Sequence, residues 1–171
     1  MLLLLSPSLS RRSPDSAIPN SARYIRRIII DADGCPVVRQ SIACAKQHGV
    51  SAVIVCDSSH HFDIDGVQTI TVTKGADSAD FRIVNMIAPG DIVVTQDYGL
   101  AAMALARKAN VIHQNGGLYT EENIDSMLFA RHNAKKILSS GGRIKGPSRR
   151  TREEDAAFVK SLEALLEKCL P

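Results

Sequence analysis

The chain has 171 residues, 44% of them hydrophobic, a formal charge of +3 and no tryptophan. A length of this order fits one domain that buries roughly 70% of its unfolded surface, and no run approaches the roughly 20 apolar residues of a membrane-spanning helix. So small a charge does not by itself call for nucleic acid, and Cys35, Cys44, Cys56 and Cys169 show neither CxxC pairing nor zinc-ligand spacing, which leaves inert thiols in a reducing cytoplasm.

Residues 1–24 differ from the rest of the chain. Met1-Leu2-Leu3-Leu4-Leu5 starts like a signal peptide, but no basic segment precedes it and Ser6-Pro7 interrupts the apolar run. Ser, Pro and Arg then dominate, so the stretch is expected to be a disordered extension. Residues 25–171 form a single α/β domain in which strand and helix signals alternate.

A first strand covers Arg27 to Asp31, and Pro36 suits the first turn of a helix running to His48. Ala52 to Cys56 is a second strand, Asp57 to Gly66 a polar loop and Val67 to Val72 a third strand. Asp77 to Ala88 reads as a helix stopped by Pro89-Gly90. Asp91 to Thr95 is a fourth strand, Leu100 to Lys108 an Ala-rich helix and Val111-Ile112 a short strand. Thr120 is expected to cap a helix reaching Leu138, with Ile124, Leu128 and Phe129 facing inward. The last helix opens on a capping box, Thr151 to Glu154, and shows Phe158, Leu162, Leu165, Leu166 and Cys169 at helical spacing.

Ile28-Ile29-Ile30 and Ile92-Val93-Val94 read as strands buried on both faces, as in a parallel sheet covered by helices. Loops beyond the C-terminal ends of such strands share one rim, where ligands bind. Asp31 and Asp33 follow the first run, Asp97 follows the other, and Asp77 and Asp80 open a helix. Gathered carboxylates repel one another unless protonated or bridged by a cation, and an all-oxygen cluster suits Mg²⁺ or Mn²⁺. Asp31, Asp33 and Asp97 are therefore the candidate catalytic residues, and Asp31, Asp77, Asp80 and Asp97 the candidate metal ligands. Each also has an ordinary reading as a turn or cap residue. Thr95 on the same rim is placed to orient Asp31 or Asp97, and Ser58 and His60 after the second strand reach the rim as supporting groups.

Between Asp125 and Glu153 there is no acid, while Arg131, Lys135, Lys136, Arg143, Lys145, Arg149, Arg150 and Arg152 all fall there. Such a tract attracts phosphate backbones through counterion release. Arg143, Lys145, Arg149 and Arg150, with Lys74 beside Gly75, are the candidate phosphate or nucleic-acid contacts. No aromatic is interleaved among the later cations, so base stacking is not expected there.

Asp31-Ala32-Asp33-Gly34-Cys35-Pro36-Val37, Asp57-Ser58-Ser59-His60, Gly75 to Asp80, Gly90 to Ala101, Gly117-Leu118-Tyr119, Asn123-Ile124-Asp125 and Gly142 to Pro147 together resemble the YaiI/YqxD family of uncharacterised bacterial proteins. The likeness runs from Arg27 to Leu166 and carries no activity with it. More broadly, Val93 to Ala101 resembles the strand-Thr-x-Asp-x-x-Leu-Ala segment of PIN-like nucleases. That resemblance implies a three-layer α/β/α sandwich around a mostly parallel sheet, with Mg²⁺ or Mn²⁺ held at Asp31, at Asp77 or Asp80, and at Asp97. Gly99 departs from it, since many PIN domains carry a further acid there.

The expected function is metal-dependent phosphodiester hydrolysis, with RNA as the favoured partner and no membrane association. One alternative is a non-catalytic RNA-binding module whose acids merely cap helices. Another is a phosphatase resembling the haloacid dehalogenases, with Asp31 in the DxDG segment as nucleophile and Asp33 as acid/base. Against it, Gly90-Asp91 precedes a strand where that superfamily's second acidic motif follows one.

Overall fold

A computed structural model describes residues 27–73, 78–141 and 149–169; the expected extension at 1–24 lies outside them. Apolar runs of three to five residues bounded by Gly, Asp and Pro make short strands that must be covered on both faces. Six form one sheet: β1 (Arg27–Asp31), β2 (Ser51–Asp57), β3 (Gln68–Val72), β4 (Ile92–Val94), β5 (Asn110–Ile112) and β6 (Leu118–Tyr119). Their order is β3-β2-β1-β4-β5-β6, all pairs parallel except β5 with β6. The sheet is thus mostly parallel, as expected. The β6 strand is an addition that the sequence gives no period to reveal.

Alternation along the strands sends side chains to two apolar layers. Ile28, Ile30, Ile54, Ile92, Val94 and Ile112 pack against α1 (Val38–Gln47) and α5 (Arg152–Cys169). Ile29, Val53, Val55, Val93 and Val111 face α2 (Ser78–Met86), α3 (Tyr98–Ala106) and the start of α4 (Ile124–Ser139). The molecule is a three-layer α/β/α sandwich. The side chains of Ile28, Ile29 and Ile30 are fully buried, each worth about 1.5–3 kcal/mol relative to exposure.

Helix boundaries follow local chemistry. Asp97 accepts from the Gly99 and Leu100 amides, which starts α3 two residues before Leu100. The capping box holds as read: the Thr151 amide donates to Glu154 Oε2 at 2.8 Å and the Glu154 amide to Thr151 Oγ1 at 3.3 Å. Phe158, Leu162, Leu165 and Leu166 are all buried on α1 and the sheet. Two expectations fail in α4. Its N-cap is Asn123, whose side-chain Oδ1 accepts from the Thr120 amide, so Thr120 belongs to the preceding turn. Phe129 is 68% exposed because α4 turns that face away from the sheet. Cys35, Cys44 and Cys56 carry free thiols, and burial pushes the Cys35 thiol up to about 11. Among the described residues no helix is long and apolar enough to cross a membrane.

Candidate functional site

Strand β1 lies at the point where the sheet's growth reverses: the chain passes from β1 through β2 to β3, then returns to place β4 on the other side. Parallel strands leave a crevice beyond their C-terminal ends at such a point. Ile30 pairs with Val94, so Asp31 and Thr95 come side by side. The Thr95 hydroxyl donates to Asp31 Oδ2 at 2.7 Å and accepts from the Asp97 amide at 3.0 Å. One buried hydroxyl thereby ties the Asp31 carboxylate to the Asp97 backbone. Asp31 is only 7% exposed. Burial, opposed by the Thr95 hydrogen bond and reinforced by the charges of Asp80, Asp33 and Asp97, pushes its carboxyl up to about 6.

Asp97 has both oxygens engaged. Oδ1 takes the α3 amides at 2.7 and 3.0 Å, and Oδ2 takes Arg131 Nη1 at 2.9 Å. Burial works to raise its carboxyl, but the Leu100 amide, Arg131 and the Gly99 amide outweigh it and hold it below the usual range. The Arg131 guanidinium also lies over the Tyr98 ring, 5.6 Å from its centre. Tyr98 meets Tyr119 edge-on at 5.8 Å, and Tyr119 meets His113 likewise at 5.9 Å. These rings brace the Asp97 side of the rim.

Asp33 does not cap α1. Its two oxygens accept the Asp57 amide at 3.0 and 3.1 Å, tying the turn after β1 to the end of β2. Gly34 makes that turn possible with φ +72°, and an added Cβ would come within 3.1 Å of Gln96 Nε2. Asp57 Oδ1 accepts from the Ser59 amide and hydroxyl, and the Ser59 hydroxyl and amide hold the Asp57 carboxyl below its usual range. His60 Nδ1 sits 3.2 Å from Asp33 Oδ1 and 3.3 Å from Asp57 Oδ1. Donor atoms of Asp33, Asp57 and His60 all lie within 4.8 Å of one another. Among the described residues this group, rather than Asp31 with Asp80 and Asp97, reaches that spacing.

All these acids border one open cleft of about 590 Å³, lined by Asp31, Asp33, Asp57, Asp80 and Asp97 with Gln96, Tyr98, His113 and Arg131. Of the residues expected from sequence, Asp31, Asp33, Asp80 and Asp97 meet there, with Thr95 and His60 bonded to them. Ser58 is exposed and outside the lining, and its neighbour Ser59 makes the Asp57 contacts. Asp77, Lys74, Arg143 and Lys145 lie outside the described residues. Arg149 is exposed, whereas Arg150 is engaged by Asp155, Asn115 and the Gln114 carbonyl. Asp91 sits just before β4, at the opposite end of the strands from the cleft, fully buried, accepting from Arg27 Nε at 3.1 Å and the Ala88 amide at 2.9 Å.

Sequence reasoning missed Asp57 as a cleft acid. The rule that singled out Asp31, a carboxylate closing an apolar strand, applies equally to Asp57 after Val53 to Cys56. Arg131 was legible only as one cation of a tract, because its pairing with Asp97 spans 34 residues. His113 carries no local signal. Burial lowers the pKa of its imidazole, and its Nδ1 accepts from the Asn115 amide at 3.1 Å.

No solved structure matches the chain. A "UPF0178 protein" of Exiguobacterium sibiricum is 55% identical over 140 residues, 82% of this chain and 96% of that one. One of Ruminiclostridium cellulolyticum is 47% identical over 137 residues, covering 80% and 89%. One of Alkaliphilus oremlandii is 43% identical over 136 residues, covering 80% and 88%. The model of the family described as "Uncharacterized BCR, YaiI/YqxD family" matches residues 29–168. With the cleft acids and all of the sheet but the first two residues of β1 inside that span, the chain belongs to the YaiI/YqxD family.

Proposed function

We propose that the protein is a Mg²⁺- or Mn²⁺-dependent phosphodiesterase acting on RNA. The observation that carries this reading is the convergence of Asp31, Asp33, Asp57, Asp80 and Asp97 on one cleft that Arg131 also borders. The donor set fits a hard divalent cation. The cleft acids offer carboxylate oxygens, and a carboxyl buried among like charges is relieved by a bound cation. Asp33, Asp57 and His60 already lie close enough together to hold one ion, and Asp31, Asp80 and Asp97, which border the same cleft, would have to draw together to hold another.

When bound, such an ion supplies a more acidic water and a counter-charge for the phosphoryl oxygens. The chain supplies the rest. Thr95 keeps Asp31 and Asp97 in fixed positions before substrate arrives, which lowers the reorganisation needed. Arg131 offers guanidinium N–H groups at the edge of the cleft, where a phosphate oxygen competes with Asp97 for them. The resemblance of Val93 to Ala101 to the PIN-like segment points the same way.

Calorimetry of Mn²⁺ binding and cleavage of a labelled RNA, wild type against Asp31→Asn, test this reading together. The variant is expected to lose cleavage and the binding event to which Asp31 contributes. Equal cleavage by Asp31→Asn would sink the proposal. RNA binding without any effect of Mn²⁺ would instead favour a non-catalytic RNA-binding module.

A further inference from the structure

One face of α4 is continuous from the core to solvent. Positions three and four apart on a helix share a face, and here they are Ile124, Leu128, Arg131, Lys135 and Leu138. Ile124 is buried and Leu128 packs on the same apolar layer, so the face begins against the body. One turn on, Arg131 meets Asp97 at the rim of the cleft. Beyond it, among the described residues, the face covers nothing: Lys135 is exposed and Leu138 is 54% exposed. Beside it lies a groove of about 440 Å³, lined by His132, Lys135, Lys136 and Ser139. No acid occurs in α4 after Asp125.

We propose that this overhanging half of α4 is an arm that holds the backbone of a single-stranded RNA as it leaves the cleft, with Lys135 and Lys136 as its phosphate contacts. The inference rests on the phosphodiesterase reading of the cleft. Charge complementarity selects a polyanion, and continuity through Arg131 selects the polyanion that the cleft would cut. Among the described residues the cations of this arm run along one helix, which suits one backbone rather than the two of a duplex. Of the cations expected to contact phosphate, Arg150 is held by protein partners and Arg149 is exposed, while Lys74, Arg143 and Lys145 lie outside the described residues; Lys135 and Lys136 of α4 are exposed as well.

The test uses the full chain and a fluorescein-labelled 12-nucleotide single-stranded RNA, followed by anisotropy without metal over a range of salt. The paired variant Lys135→Glu/Lys136→Glu is compared with Lys160→Glu, an exposed charge on α5. Loss of two phosphate contacts is expected to weaken binding about tenfold and to reduce the salt slope by about 1.4. Lys160→Glu should bind as wild type, and both variants should keep the wild-type melting temperature. Unchanged affinity in the paired variant, no binding by wild type, or preference for a duplex or for DNA of the same sequence would each overturn the arm. Cleavage in Mn²⁺ separates the two claims. RNA held through Lys135 and Lys136 but never cleaved removes the phosphodiesterase reading alone. Cleavage by the paired variant with unchanged KM removes the arm alone.

Discussion

The Asp31 carboxyl, 7% exposed and facing Asp80, Asp33 and Asp97, keeps its proton to about pH 6, against 3.8 for the ordinary side chain. Because the folded value is the higher one, the native state binds that proton more tightly than the unfolded chain. The resulting stabilisation is complete below about pH 4 and is lost as pH rises through about 6. At neutral pH the ionised group works against folding. In metal-free protein, Asp31→Asn keeps an acceptor for Thr95 and removes the charge. It is expected to be more stable than wild type at pH 7.5 by up to about 3 kcal/mol and to match it at pH 4. Urea denaturation at the two pH values reads the difference, and a variant less stable at pH 7.5 would contradict the assignment. Thr95→Val removes the donor to Asp31 and the acceptor for the Asp97 amide in a site 1% exposed. Thermal unfolding should report a loss of about 1–3 kcal/mol. The Thr95 role was legible from its place on the rim two residues before Asp97. The Asp33 clamp on the Asp57 amide was not, since a turn after one strand carries no mark of the strand it will meet.

Among the elements, α5 divides its stability between an end and a face. The Thr151–Glu154 box satisfies amides at its start, and Phe158 and Leu162, both fully buried, supply the face. Thr151→Ala is expected to cost about 1 kcal/mol and Phe158→Ala about 3–5 kcal/mol. Chemical denaturation of the two variants orders the contributions, and a larger loss from the cap would reverse the account. This helix was readable because its cap and its 3.6-residue period agree. For α4 they do not: Thr120 resembles a cap, yet the chain makes another turn before Asn123 and Ile124. Phe129 shows the limit of hydrophobicity as a guide, since α4 overhangs the body and an apolar side chain there meets solvent.

At the scale of the molecule, the layers were written into Ile28 to Ile30 and Ile92 to Val94, whose unbroken hydrophobicity demands cover on both faces. The order of the strands was not, because nothing local says that β1 will stand between β2 and β4. That order gathers acids from residues as far apart as 31 and 97 in one cleft. It also makes α5 part of the closure of the opposite layer. Phe158, Leu162, Leu165 and Leu166 cover β1 and β4 beside α1, and Gly116 approaches α5 so closely that an added Cβ would lie 2.9 Å from the Ala157 carbonyl. Every other described element precedes α5 in the chain. During synthesis the described strands, the cleft and α1 to α4 therefore leave the ribosome before α5, and one apolar layer stays half open until that helix emerges.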